Sequence, residues 1–257
     1  MKSIVLFTSQ TSATASFERI INIIANHDKS LTHRRFYDEI MHLPPKEVRN
    51  TVLPKEDAFL LFNYPPLFNT DTNFKDYRTI INFRDPRDRT CNVYHWHLSH
   101  PTNEAPEIRA ARIEKVRSLG IDAWVHQSHR NSLLSNDYYS NLFGAIDRSS
   151  GEMAAVVTYA RLCMDFDSAI EKICSLLQVE LNDAQIELLE KESPESISSN
   201  SSWIGNRWAG SDVLPGRFKN ELSEDVIAEI NAYYEPTLRQ MAKYDPDFAH
   251  TYLDGIE

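Results

Sequence analysis

Thr79-Ile-Ile-Asn-Phe-Arg-Asp-Pro-Arg-Asp88 is an apolar run that ends abruptly in charge. Its β-branched residues Thr79, Ile80 and Ile81 predict a buried strand over 78–83. Arg84 then stands at the strand end, where a planar guanidinium fork matches phosphate geometry. After Asp88 the pattern predicts a helix through Leu98, with Val93, Trp96 and Leu98 as packing residues. Upstream, residues 2–8 read as a first strand, followed by the polar run Thr8-Ser-Gln-Thr-Ser-Ala-Thr14. Phe17, Ile20, Ile21, Ile23 and Ile24 then recur largely on one helical face. A second strand is expected over 57–64, stopped by Pro65-Pro66.

Downstream, residues 107–119 form a charged amphipathic pattern ended by Gly120, and 121–143 read as an interrupted polar helix. A fourth strand is expected over 154–159 and a helix over 167–178, with Ile170, Ile173, Leu176 and Leu177 facing the core. The segment 192–216 is rich in Ser, Asn and Gly, and a last helix runs from Ser223 to about Tyr244. Strands alternating with helices predict an α/β fold with a central, mostly parallel sheet flanked by helices. No repeat or boundary divides residues 1–257, so a single domain is expected.

Of the 257 residues, 42% are hydrophobic and 25% charged, as in an ordinary globular protein. The net charge of −10 argues against a broad nucleic-acid surface. No apolar run approaches the roughly 20 residues needed to span a bilayer. Ile4-Val-Leu-Phe7 is too short for the core of a signal peptide. Cys91, Cys163 and Cys174 are odd in number and lack metal-ligand spacing, so no metal and a cytoplasmic setting are expected.

The loop between the first strand and first helix can receive phosphate at the helix N-terminus, with hydroxyls of Thr11, Ser12 and Thr14 as added donors. Taken alone, the loop reads more readily as a Ser/Thr-rich turn that merely caps the helix. It is not a Walker A loop, because it lacks the glycines and the Gly-Lys-Ser/Thr ending.

Residues 80–96 resemble the 3′-phosphate-binding segment of the sulfotransferase family. That pattern is a strand, Arg-x-Pro-Arg/Lys-Asp, then a helix with a small polar residue and an aromatic pair. Arg84, Pro86, Arg87 and Asp88 match, and Tyr94, His95 and Trp96 fit the aromatic stretch. Asn92 stands where the family usually has Ser. Ser9-Gln-Thr-Ser-Ala-Thr14 is similar to the family's 5′-phosphosulfate loop, Pro-Lys/Arg-Ser-Gly-Thr-Thr. Val157-Thr-Tyr-Ala-Arg-Leu162 resembles Val-x-Tyr-Glu-Asp-Leu, whose Tyr commonly meets the adenine. Gly216-Arg-Phe-Lys-Asn220 resembles the C-terminal Gly-Asp-Trp-Lys-Asn segment that closes over the nucleotide.

The resemblance implies a sulfotransferase-like, P-loop-like fold and the donor 3′-phosphoadenosine-5′-phosphosulfate (PAPS), with 3′-phosphoadenosine-5′-phosphate (PAP) as product. It places Gln10, Thr11, Ser12, Ala13, Thr14, Arg84, Asn92, Tyr159, Arg217, Phe218 and Lys219 around the nucleotide. Two positions depart. Gln10 replaces the loop Lys or Arg that neutralises the leaving phosphate. Asn63 stands 21 residues before Arg84, at the place of the catalytic His of the small-molecule branch. His33, in His33-Arg-Arg-Phe-Tyr37, is a loose counterpart of the glycan branch's Glu and so a candidate base. Trp124, Trp203 and Trp208 are candidates for lining an acceptor pocket.

The implied function is sulfuryl transfer from PAPS to a hydroxyl or amine of a small-molecule acceptor, such as a natural product. Two alternatives stand beside it: a nucleotide-binding relative with little catalysis, and a glycan-type enzyme using His33. The expected partners are the acceptor and, as a homodimer, a second copy of the chain, with no nucleic acid and no membrane.

Overall fold

A computed structural model describes residues 3–25, 32–34, 43–44, 47, 58–62, 74, 76–100, 104–149, 151–196 and 214–256. Five strands form one sheet: β1 (Ile4–Thr8), β2 (Thr32–Arg34), β3 (Ala58–Phe62), β4 (Arg78–Asn82) and β5 (Ala154–Val156). Their order is β2-β3-β1-β4-β5, and every neighbouring pair is parallel. Helices α1 (Thr14–Ala25), α2 (Pro86–Ser99), α3 (Pro106–Ser128) and α4 (Asn136–Asp147) precede β5 or lie between strands. After β5 come α5 (Tyr159–Met164), α6 (Phe166–Leu177), α7 (Asp183–Glu190), α8 (Phe218–Glu221), α9 (Glu224–Tyr244) and α10 (Ala249–Tyr252).

β1 is buried along its whole length because both faces of the sheet are covered, which explains why it reads as unbroken apolar sequence. The period of two sends its residues to opposite sides. Ile4 and Leu6 join Phe17, Ile20, Ile21 and Ile24 of α1 and Ile170 and Ile173 of α6. Val5 and Phe7 join a second core built with Tyr139 and Phe143 of α4 and Tyr234 and Leu238 of α9.

The chain departs from β1 toward β3 and from β4 toward β5. Their following loops therefore diverge, leaving a crevice at the carboxyl ends of β1 and β4, the place where open parallel sheets bind ligands. Register aligns the two ends, with Thr8 opposite Asn82.

Several boundaries differ from the sequence expectation. The helix after the Arg-rich segment starts at Pro86 rather than beyond Asp88. Asp85 is its N-cap and accepts from Arg87 N, and Pro86 occupies the first turn, where a missing N–H costs nothing. The fourth strand stops at Val156, and Tyr159 opens α5, because the Thr158 side chain caps that helix by accepting from Arg161 N. Gly120 breaks the helical path as expected (φ 73, ψ 166), and helical structure resumes directly to Ser128. The sequence reading passes over β2 and α7. α7 carries a complete capping box, Asn182 with Gln185, so its signal was present.

Candidate functional site

The loop after β1 is held in an uncommon backbone shape. Thr11 (φ 64) and Ala13 (φ 58) are both left-handed, which costs a side-chain-bearing residue about 1 kcal/mol or more. Side chains brace it from below. Asn82 Nδ2 donates to Thr8 Oγ1 (2.8 Å) and to the Ser12 carbonyl (2.6 Å). Ser9 and Ser12 share a hydroxyl contact of 2.5 Å, and Thr14 Oγ1 lies 3.1 Å from Thr8 Oγ1. The loop runs straight into α1, whose first amides carry the positive end of the helix dipole. A loop of this shape before a helix is suited to anions.

The three arginines of the 84–89 segment are all buried, yet they are used differently. Arg87 spends every donor inside the protein. It pairs with Asp85 (2.7 Å) and donates to Asn231 Oδ1 and to the carbonyls of Thr251, Tyr252 and Asp254. Phe218 lies against its guanidinium at 4.3 Å. Among the described residues the Arg84 side chain makes one hydrogen bond, to the Thr11 carbonyl (3.1 Å), and rests on the Tyr159 ring at 4.1 Å. Its Nε and second terminal nitrogen are buried without a hydrogen-bond partner among the described residues. A buried donor left unpaired is costly, and this guanidinium keeps the capacity to donate to further acceptors.

Asp88 is engaged within the protein. Its carboxylate accepts from Gly216 N (2.8 Å) and Phe218 N (3.2 Å), which fastens the C-terminal segment to the start of α2. Burial, with Asp85 next in effect, pushes its pKa up to about 6 from 3.8, against the pull of Arg84 and the two amides. Below 3.8 both folded and unfolded chains keep this proton. As pH rises toward 6 the unfolded chain releases it first, so the group increasingly costs native stability. Above about 6 the full cost, on the order of 3 kcal/mol, is in place. Urea unfolding between pH 4 and 7 should show the wild type losing stability relative to Asp88→Asn across that window. Parallel pH curves for the two proteins would contradict it.

The remaining sequence-predicted residues divide sharply. Asn92 is buried, and its Oδ1 accepts from Arg217 at 3.4 Å, which leaves the amide NH2 as its donor end. Arg217 is itself buried and paired with Glu221, which also takes His95 Nε2 at 2.8 Å. Its charge is thus compensated within the protein. Lys219 is half exposed and paired with Asp254. Arg19 is likewise engaged, with Glu192 at 2.7 Å.

His33 is not brought to the loop. It pairs with Phe59, which pairs with Ile4, so it lies level with the start of β1 and two strands away. Four residues at about 3.3 Å and two strand spacings at about 4.8 Å separate its backbone from Thr8 by roughly 16 Å. Trp124 packs in the core beside Tyr94 at 5.9 Å between ring centroids. Asn63, Trp203 and Trp208 lie outside the described residues. Sequence reasoning overlooked Arg89, which is fully buried and donates from Nε to the Gln10 carbonyl at 2.8 Å.

A parallel α/β sheet with an anion-type loop and an underused buried arginine at its switch point is an arrangement suited to phosphate. The model of the sulfotransferase domain matches residues 63–244, and the chain belongs to that family. β1 and its loop precede the matched region, but the sheet seats β1 between β3 and β4. Solved structures share the fold. Mouse sulfotransferase SULT7A1 complexed with PAP superposes with a TM-score of 0.61 at 14% identity, covering 92% of this chain and 84% of that one. Retinol dehydratase in complex with androsterone and the inactive cofactor PAP gives 0.60 at 15% identity, covering 91% and 80%. Retinol dehydratase with retinol and PAP gives 0.60 at 16%, covering 92% and 81%. A search of curated proteins returned no match.

Proposed function

We propose that this protein transfers a sulfuryl group from PAPS to a hydroxyl or amine of a small-molecule acceptor and releases PAP. The observation that carries this reading is Arg84: a buried guanidinium with two unused nitrogens, at the carboxyl end of β4, beside a left-handed loop and a helix N-terminus. These groups fit the two ends of a nucleoside 3′,5′-bisphosphate. In this reading Arg84 and the Asn92 amide hold the 3′-phosphate. Tyr159 supports the Arg84 guanidinium over its ring and adjoins the adenine.

The backbone amides of 10–14 and the hydroxyls of Thr11, Ser12 and Thr14 hold the 5′ end. Ala13 (φ 58), at the place of the first Thr of the family's loop, holds the backbone in the left-handed shape. Arg217, Phe218 and Lys219 close the nucleotide side, held in place through Asp88. PAPS supplies the activated sulfuryl group. The protein's part is alignment of the acceptor and neutralisation of charge on the departing phosphate. Two solved structures of this fold contain the apolar hydroxylated molecules androsterone and retinol, which supports a small organic acceptor. The register of His33 favours this reading over a glycan-type enzyme using that residue as base.

Calorimetry with PAP and ADP, followed by transfer from labelled PAPS over a panel of alcohols, phenols and amines, tests it. PAP should bind more tightly than ADP, with label moving to at least one acceptor. Preference for ADP would overturn the family chemistry, and tight PAP binding with no transfer would leave a binding protein.

A further inference from the structure

Arg89 plays no part in the matched motif, and its surroundings are unusual for a cation. The side chain is fully buried. Its Nε holds the Gln10 carbonyl at 2.8 Å, and one terminal nitrogen reaches the Leu133 carbonyl and the Tyr139 hydroxyl (3.4 Å). The guanidinium lies over the Tyr138 ring at 4.5 Å. The other terminal nitrogen has no hydrogen-bond partner, and no carboxylate pairs with Arg89 among the described residues. Arg87, two residues earlier, shows what a settled structural arginine looks like: paired with Asp85 and fully bonded. A buried, uncompensated cation is expensive to keep, and it is kept most readily where an anion comes to compensate it.

Its position says which anion. Arg89 and Arg84 hold the consecutive carbonyls of Gln10 and Thr11. In a planar trans peptide the C=O and the following N–H point in opposite directions. Pinning the Gln10 carbonyl toward Arg89 therefore turns the Thr11 amide the other way, out of the loop. The same loop carries no cation of its own, because residue 10 is a neutral amide.

We propose that Arg89 supplies, from beneath the loop, the positive charge that residue 10 lacks. It is a positioning residue for the 5′-phosphate end of a nucleoside 3′,5′-bisphosphate: it fixes the Thr11 amide outward and stabilises negative charge there. This deepens the reading given under Proposed function and rests on it.

The test compares PAP with adenosine 3′-phosphate, which lacks the 5′ group, by calorimetry on the full chain. Arg89→Met should reduce the preference for PAP over adenosine 3′-phosphate roughly tenfold or more, the scale of one lost charge-assisted interaction. Arg89→Lys should retain most of that preference. Adding Gln10→Lys to Arg89→Met should restore it, which a purely structural role of Arg89 would not allow. Equal weakening of both ligands by Arg89→Met, or no rescue by Gln10→Lys, would overturn the proposal while leaving the nucleotide reading intact. Failure of the wild type to bind either ligand would overturn both. Should Arg89→Met fail to fold, the Lys variant decides: loss of the PAP preference in a folded, charge-conserving protein would also overturn it.

Discussion

Arg84→Ala should lower affinity for PAP by roughly a hundredfold or more while leaving ADP within about threefold. The number follows from its two unused nitrogens, because hydrogen bonds to charged groups contribute about 1.5–3 kcal/mol each. ADP has no 3′-phosphate for these donors to meet, so it has little to lose. Arg84→Lys should fall between wild type and Ala, because an ammonium keeps the charge but not the planar fork over Tyr159. Calorimetry with both nucleotides reads the ratio directly. Equal loss for PAP and ADP would mean that Arg84 shapes the Thr11 loop rather than contacting a 3′-phosphate.

Arg87→Met should do the opposite, acting on stability before binding. The side chain neutralises buried Asp85 and satisfies three carbonyls of 251–254 together with Asn231. Removing it strands a buried carboxylate and several acceptors, a class of change that costs about 3–5 kcal/mol. For a chain of this size that corresponds to a fall of roughly 10 °C in Tm. Urea and thermal unfolding measure it, and the last helical turns should detach first. A loss under about 1 kcal/mol would show that water replaces these bonds readily. Arg87→Lys should recover little, since one ammonium cannot serve partners on both sides of a planar fork.

Arg84 and Arg87 differ in role although both match the same motif. The resemblance matches both to one segment and gives the phosphate to Arg84. Only the fold shows that Arg87 is consumed by Asp85 and the 251–254 backbone, more than 160 positions away, while Arg84 keeps two nitrogens unspent. Asp88 is similar. Nothing local predicts that its carboxylate will accept from Gly216 and Phe218, because that bond depends on the chain's return across the end of the sheet.

The sheet was legible in the runs 4–7 and 80–83, because strands covered on both faces must be apolar throughout. The Asp85-Pro86 start of α2 was legible too, as an N-cap followed by a proline at the first turn, although the sequence reading placed that start later. The resemblance put His33 forward as a base, yet its distance from the loop is a matter of strand order and register, which a linear motif does not carry. Arg89 was invisible for a related reason. One more arginine in a charged stretch gives no sign of burial, and its contact with Gln10 joins residues 79 positions apart.

The sequence by itself determined the class of fold, which rests on local periodicity, and it carried the family resemblance of residues 80–96, which rests on residue types within a few turns of each other. The tertiary structure alone decided which arginine is free to meet a ligand. Charge compensation is a property of neighbours in space, and the neighbours of residues 84–89 come from the first loop, the 216–218 turn and the C-terminal helix.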